Sequence, residues 1–425
     1  MASATTPAPA VNDAVVRLAQ AAAARAEHPA AAALRADARE RLAGLELPSR
    51  ARHLWRYTDP GRFLPTADAA PGRVAGESWR LDDPVAAAAQ LAAGSLRMIW
   101  LDEQARHAGV VVANLHETAT DGLLGSVVSA DHGFVEAINA AAWQGGVYVS
   151  VPAGVRLEQP IRVRVEADAT GAPVLPRVLI VAGEGSSFEV VEGHTGGDGV
   201  PTQVLGVTEL LVGRGAEVSY GLVQRWQPSV IGHLTVRARL EAGARFQMAL
   251  ASFGGALYKA DVGALLAGEG AQSETYGVAM GGDRQHMDHH TEHVHLAGRT
   301  HSTLDFKVAL THAARSAYTG LIRIARDAAV SEAYQENRNL LLSPDARAES
   351  IPELEILTDD VRCSHGATVA PLDEEQLFYL RSRGLPHLQA TRLIVYGFLD
   401  QTLQRLPRGT RERIEALVAA RLHAE

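Results

Sequence analysis

From Val147 onward, short apolar runs rich in β-branched residues alternate with polar positions and break at glycine-centred turns. The turns recur: PAGVRLEQPIRV around Gly154, AGEGSSFEVV around Gly185, VGRGAEVSYGLV around Gly215, EAGARFQMAL around Gly243, AGEGAQSETYGV around Gly270 and LAGRTHSTLDF around Gly298, with a degenerate copy, ARDAAVSEAYQ, near Asp327. The interval is about 28 residues, inside the range of roughly 20 to 50 at which self-similarity marks a solenoid. Each unit holds two or three strand-length segments and cannot bury its apolar face alone. Stacking of successive units solves this, and the pattern predicts a mainly β protein with a right-handed parallel β-helix core over 146–371. Turn geometry accounts for the glycines, because no turn opens a helix or carries the phosphate-cradling G-x-x-x-x-G-K signature.

On either side the period changes to that of helices. Val15, Leu18 and Ala22, then Leu34, Leu42 and Leu45, predict an N-terminal, largely helical region over 1–145. Within it, Arg52 to Pro65 reads as a loop or short helix whose Trp and Tyr pack on the main body, and FVEAINAAAW as a short helix ended by Gly145-Gly146. A C-terminal helical domain is expected over 372–425. Asp373 caps its first helix, Gly384 ends it, and Pro386 opens a second that carries Leu388, Leu393, Ile394, Tyr396, Phe398, Leu399 and Leu403. That apolar surface is too broad for a lone exposed helix. Most of it is expected to pack on the solenoid and part to remain as a docking face.

Composition narrows the function classes. Aromatic residues are only 5% while glycines number 39, a balance suited to many tight turns. A net charge of −9 gives no electrostatic reason to expect nucleic acid or an anionic membrane as partner. One cysteine excludes an intrachain disulfide and fits a reducing compartment. No signal-peptide pattern or long apolar window is present, so a soluble cytoplasmic protein is expected.

That cysteine, Cys363, lies two residues before His365. If PELEILTDDVRC is extended, both side chains share one face and form half of a four-ligand iron-sulfur or zinc site at most. Cys363 reads equally as a small packing residue, and Asp359 and Asp360 would raise its thiol pKa. The densest histidine run is His286, His289, His290, His293, His295 and His301. On a strand, His289, His293 and His295 face one side while His290 and Glu292 face the other, so a metal site is conceivable beside a hydrogen-bonding role.

The runs NRNLLLS, PELEI, DDVRCSHGAT and LDEEQLFYLRSRG closely resemble the C-terminal signature of the SufB/SufD family of iron-sulfur cluster assembly proteins. The CSHGAT form, the length and LWRYT (Leu54 to Thr58) resemble the SufD branch, as does the lack of further cysteines. The resemblance implies a non-catalytic scaffold subunit whose solenoid pairs with a SufB-like paralogue, or with a second copy of itself when isolated. It implies that His365 ligates a nascent, transient iron-sulfur cluster opposite a partner cysteine, with Cys363 beside it as ligand or packing. No cluster is expected to be held stably by the isolated chain. The C-terminal helices, through Pro386, Leu388, Leu393, Tyr396 and Phe398, are implied to dock a SufC-like ABC ATPase. The alternative is a carbohydrate-active β-helix enzyme, which would need convergent acids and aromatic sugar platforms that the repeats show only sparsely.

Overall fold

A computed structural model describes residues 11–51, 53–66, 80–83, 86–90, 95–100, 103–143, 145–167, 171–197 and 199–424. The chain enters through α1 (Asp13–Ala23) and α2 (Pro29–Leu42), then β1 (Arg80–Asp83), β2 (Ala86–Gln90), β3 (Ser95–Trp100), α3 (Glu103–His107), β4 (Val111–Asn114) and α4 (Phe134–Ala142). The solenoid runs through β5 (Gly145–Val151), β6 (Ile161–Ala167), β7 (Pro176–Ala182), β8 (Ser187–Gly196), β9 (Thr202–Val212), β10 (Glu217–Trp226), β11 (Val230–Leu240) and β12 (Arg245–Ser252). It continues through β13 (Leu257–Leu266), β14 (Gln272–Gly281), β15 (His286–His295), β16 (His301–Leu310), β17 (Arg315–Ile324), β18 (Ser331–Leu341), β19 (Arg347–Ile356) and β20 (Val361–Pro371). Three helices close the chain: α5 (Glu374–Ser382), α6 (His387–Leu403) and α7 (Arg408–Ala424).

Successive solenoid strands fall alternately into two parallel sheets, so each coil has two long strands rather than three short ones. The register is continuous. Ser187, Glu217, Arg245, Gln272, His301, Glu332 and Arg362 form one paired column, stepping by 30, 28, 27, 29, 31 and 30 residues. A second column explains the glycines: Gly154, Gly185, Gly215, Gly243 and Gly270 all have φ between 61° and 73°, each donating its N–H to the carbonyl before the next turn. An L-residue resists that conformation. The next two turns place Arg299 and Val330 there, at φ 56° and 59°, so the sixth left-handed residue is Arg299 rather than the expected Gly298.

Side chains between the sheets form the main core, from Val149, Ile180 and Leu210 in the early coils to Phe306 and Tyr318 in the later ones. Through it, the rings of His194, Trp226, Tyr258, His289, Phe306 and Tyr318 meet successively, edge-to-face or tilted, with centroids 5.1 to 5.8 Å apart. Both outer faces are covered. On the nine-stranded sheet, α1, α2, α4, Trp55 and Phe63 bury Leu175, Leu205 and Leu257. On the eleven-stranded sheet, Val395, Leu399, Leu403, Ile414 and Val418 of α6 and α7 cover Val191, Val223, Tyr276, Val278 and Leu340.

The region expected to be largely helical also contributes four short strands. β3 and β4 add antiparallel to the first coil, and the sheets end there on β1 and β4, each four residues long. At the other end the last strands, β19 and β20, have 10 and 11 residues and a free edge each.

Candidate functional site at the open end of the solenoid

β20 pairs on one side only, with β18, which sets Cys363 beside Ala333 and His365 beside Gln335. Ala333 and Gln335 are buried between the sheets, so Cys363 and His365 belong to the inward row of the last coil, on the same face of the strand as alternation requires. Their environments differ. Cys363 is half-buried against the cluster of Leu304, Ile322, Ile324 and Ala333, and that burial raises its thiol pKa. Asp359 and Asp360, expected to do so, are not among the causes. His365 is exposed, and its ring makes no hydrogen bond among the described residues. Gly366 leaves the space beside it open. Ile356, Leu357 and Val369 are exposed around this end although they are apolar. One thiol and one imidazole on the same face of a free strand edge are two donors, half of the four that an iron-sulfur or zinc site normally takes.

The helical domain carries a second apolar surface. Leu388, Leu393 and Tyr396 of α6 are exposed, as is Pro386 at its N-cap. Phe398 turns the other way: it is half-buried against the solenoid with the Lys307 ammonium 5.5 Å from its ring centroid. Phe378 and Tyr379 of α5, exposed by 74% and 57%, take its place on the outer surface. Between α5 and α6 lies a groove of about 520 Å³ lined by Phe378, Arg381, Leu385, Pro386 and His387.

Compared with known families, residues 164–398 match the one described as "SUF system FeS cluster assembly, SufBD core domain". The chain belongs to the SufB/SufD family. It is 32% identical to the iron-sulfur cluster assembly protein SufB of Bacillus subtilis (strain 168), over 64% of this chain and 58% of that protein. Iron-sulfur cluster assembly SufBD family proteins of Staphylococcus haemolyticus and Staphylococcus epidermidis are each 31% identical, over 66% of this chain and 61% of theirs. The chain thus spans about three fifths of the length of these curated relatives. Membership of a cluster assembly family sets aside the carbohydrate-active alternative. The matched SufB/SufD segment contains the open end, α5 and most of α6. Among the described residues, no helix is long and apolar enough to cross a membrane.

In this SufB/SufD chain the histidine run divides as its spacing predicts. His289, His293 and His295 point inward and are almost fully buried. His289 is 2.9 Å from the Ser252 hydroxyl, His293 3.1 Å from that of Thr275, and His295 lies between Thr300 and Ser302 at 2.7 and 2.8 Å. Hydroxyl partners and burial make these neutral structural imidazoles. Burial lowers His289 and His295 to about 4 and His293 to about 3. The unfolded chain binds protons at these residues below about pH 6.5, while the folded chain does not until pH 4 or lower. Stability therefore falls as pH drops from 6.5 toward 4, by up to about 1.4 kcal/mol per pH unit for each histidine, and levels off below. Denaturant titrations at pH 7, 6 and 5 should show this loss. It should shrink when His293 is replaced by Gln; an unchanged slope would contradict a neutral His293.

On the outer face, His290 and Glu292 line a cavity of about 670 Å³ beneath Trp55 and α4. The donor atoms of His132, Glu136 and Asp261 lie there within 4.8 Å of one another, a set that sequence spacing could not assemble. Asp261 is already held by Arg237 at 2.6 Å, His290 at 2.5 Å and His132 at 3.3 Å. Against the cost of burial, those partners keep its carboxyl well below the usual range. The cluster is a closed ion-pair network that ties the N-terminal region to the sheet.

Proposed function

We propose that this chain is the non-catalytic, SufD-type subunit of a SUF iron-sulfur scaffold. The observation that carries the reading is His365, exposed and without a hydrogen-bond partner among the described residues, on a free strand edge beside a half-buried cysteine. A SufB-like paralogue laid edge to edge along β19 and β20 would pair its backbone groups with theirs and cover Ile356, Leu357 and Val369. Its cysteine would complete the ligand set for a nascent cluster, which is cargo of the complex. The isolated chain has too few donors there to keep one, and the same edge can pair with a second copy. The face formed by Phe378, Tyr379, Leu388, Leu393 and Tyr396 is the dock for a SufC-like ABC ATPase, with Phe398 supporting it from beneath.

Co-expression with a SufB-like paralogue and a SufC-like ATPase, followed by anaerobic reconstitution, tests all three parts. His365→Ala should leave pairing intact and lower cluster occupancy by roughly tenfold or more, since even outer-shell changes at metal sites reach that size. Cys363→Ser matches it if the thiolate ligates, and matches the parent if Cys363 only packs. Leu393→Asp should remove the ATPase from the purified complex while leaving the solenoid folded. Full cluster occupancy with His365→Ala would overturn the ligand role.

A further inference from the structure

Where α7 crosses the outer face of the eleven-stranded sheet, arginines accumulate without matching acids. The register of β6, β8 and β10 sets Arg162 beside Val191, Arg164 beside Gly193, and Glu166 beside Thr195, which in turn pairs with Arg225. From above, Arg413 of α7 reaches down to Gly193: a Cβ built there would lie 3.7 Å from its Nη2. The charged groups acting on Arg413 are Arg225, Arg162 and Arg164, and with burial they lower its pKa. Glu166 pairs with Arg164 at 2.9 Å. Among the described residues, Arg162, Arg225 and Arg413 have no carboxylate partner. The neighbouring Glu189 is turned away, accepting from the backbone N–H of Thr410 at 2.9 Å and from its hydroxyl.

Four guanidinium groups against one carboxylate is a concentrated positive site on a chain whose net charge is −9. Mutual repulsion of that kind is relieved by a bound anion. Three unpaired donors sit at the same place among the described residues: the Thr195 hydroxyl, on a residue only 9% exposed, and the buried Nε atoms of Arg164 and Arg225. Two residues before Thr195, Gly193 adds no side chain to the sheet beside Arg164. We propose that Arg162, Arg164, Arg225 and Arg413, with Thr195 and the bare floor at Gly193, form a binding site for a phosphate group, either free or carried by a nucleotide. Guanidinium forks arriving from strand and helix match the several lone pairs of a tetrahedral dianion better than one planar carboxylate. The site lies on the outer face, on the far side of its sheet from the inward row of Cys363 and His365, and is independent of the scaffold reading.

The test is calorimetric titration of the full chain at low ionic strength with inorganic phosphate and with ADP, against sodium chloride at matched ionic strength. Phosphate should bind and raise the thermal midpoint where chloride does not. Tighter binding of ADP identifies a nucleotide as the carrier, and equal or weaker binding identifies free phosphate. Arg413→Gln should weaken phosphate binding at least tenfold while leaving the phosphate-free midpoint unchanged or higher, because repulsion is relieved. Gly193→Ala fills the floor at an ordinary contact distance and should weaken binding with every arginine retained. The site is overturned if phosphate does no more than chloride, or if both variants bind as the parent does.

Discussion

Ile180→Asp is expected to unfold the early coils. Ile180 is 1% exposed and sits in register between Val149 and Leu210 on the inward side of the nine-stranded sheet. The substitution removes apolar packing from both neighbours and buries a carboxylate in a row that offers it no partner, a combined loss of about 5 kcal/mol or more. Because each coil stacks only on its neighbours, damage should spread outward from β7 rather than abolish all structure at once. Amide exchange should become fast first in β5, β7 and β9, and the thermal midpoint should fall by roughly 10 °C or more. Ile180→Val, which removes one methyl group, should cost about 1 kcal/mol. A midpoint unchanged in the Asp variant would remove Ile180 from the core.

Glu209→Ala should be almost as damaging by a different route. Glu209 and Arg177 are both fully buried where β7 and β9 meet the segment before α4, joined at 2.7 Å. The carboxylate also accepts the backbone N–H groups of Gly125, Val127 and Val128 at 3.0 to 3.1 Å. Arg177 donates onward to Asn139 at 3.1 Å and to the Val128 carbonyl at 2.9 Å. Removing the acid deprives a buried guanidinium of this charge partner and strips three amides of their acceptor, a loss of about 3 to 5 kcal/mol. The first consequence should be release of residues 125–128, seen as proteolytic cleavage there before the solenoid melts. Glu209→Gln keeps the shape but turns an N–H₂ group toward donors, so it should fall between the parent and Glu209→Ala. A loss under 1 kcal/mol for the Ala variant would show that other groups hold this junction.

The solenoid was legible because its corners demand left-handed backbone, and glycine advertises that demand at regular spacing. Where Arg299 and Val330 meet the same demand, the signal disappears, and the turn at Gly298 reads one residue early. Polar inward rows hide the later coils in a similar way: Gln335, Asn337 and Asn339 point between the sheets but look like solvent-facing positions. Ala86–Gln90 is a strand because β3 pairs with it, although AAAAQ by its own propensity favours a helix. The shared face of Cys363 and His365 followed from alternation alone. The inward turn of Phe398 did not, because the α6 pattern is apolar on too many sides to show which one meets the sheet. The arginine site was illegible for a simpler reason: residues 162, 225 and 413 come together only through strand register and the return of the last helix.

The unequal ends of the solenoid set an arithmetic for assembly. A coil stack with two long free edges could add subunits head to tail without limit and grow into a filament. Here one end terminates on two four-residue strands, and only the other exposes strands of 10 and 11 residues. Association through that end, as proposed above, would consume it, so such pairing would stop at two chains whether the second is a paralogue or a copy. The same asymmetry that leaves His365 uncovered in a single chain would keep an assembly built through this end finite.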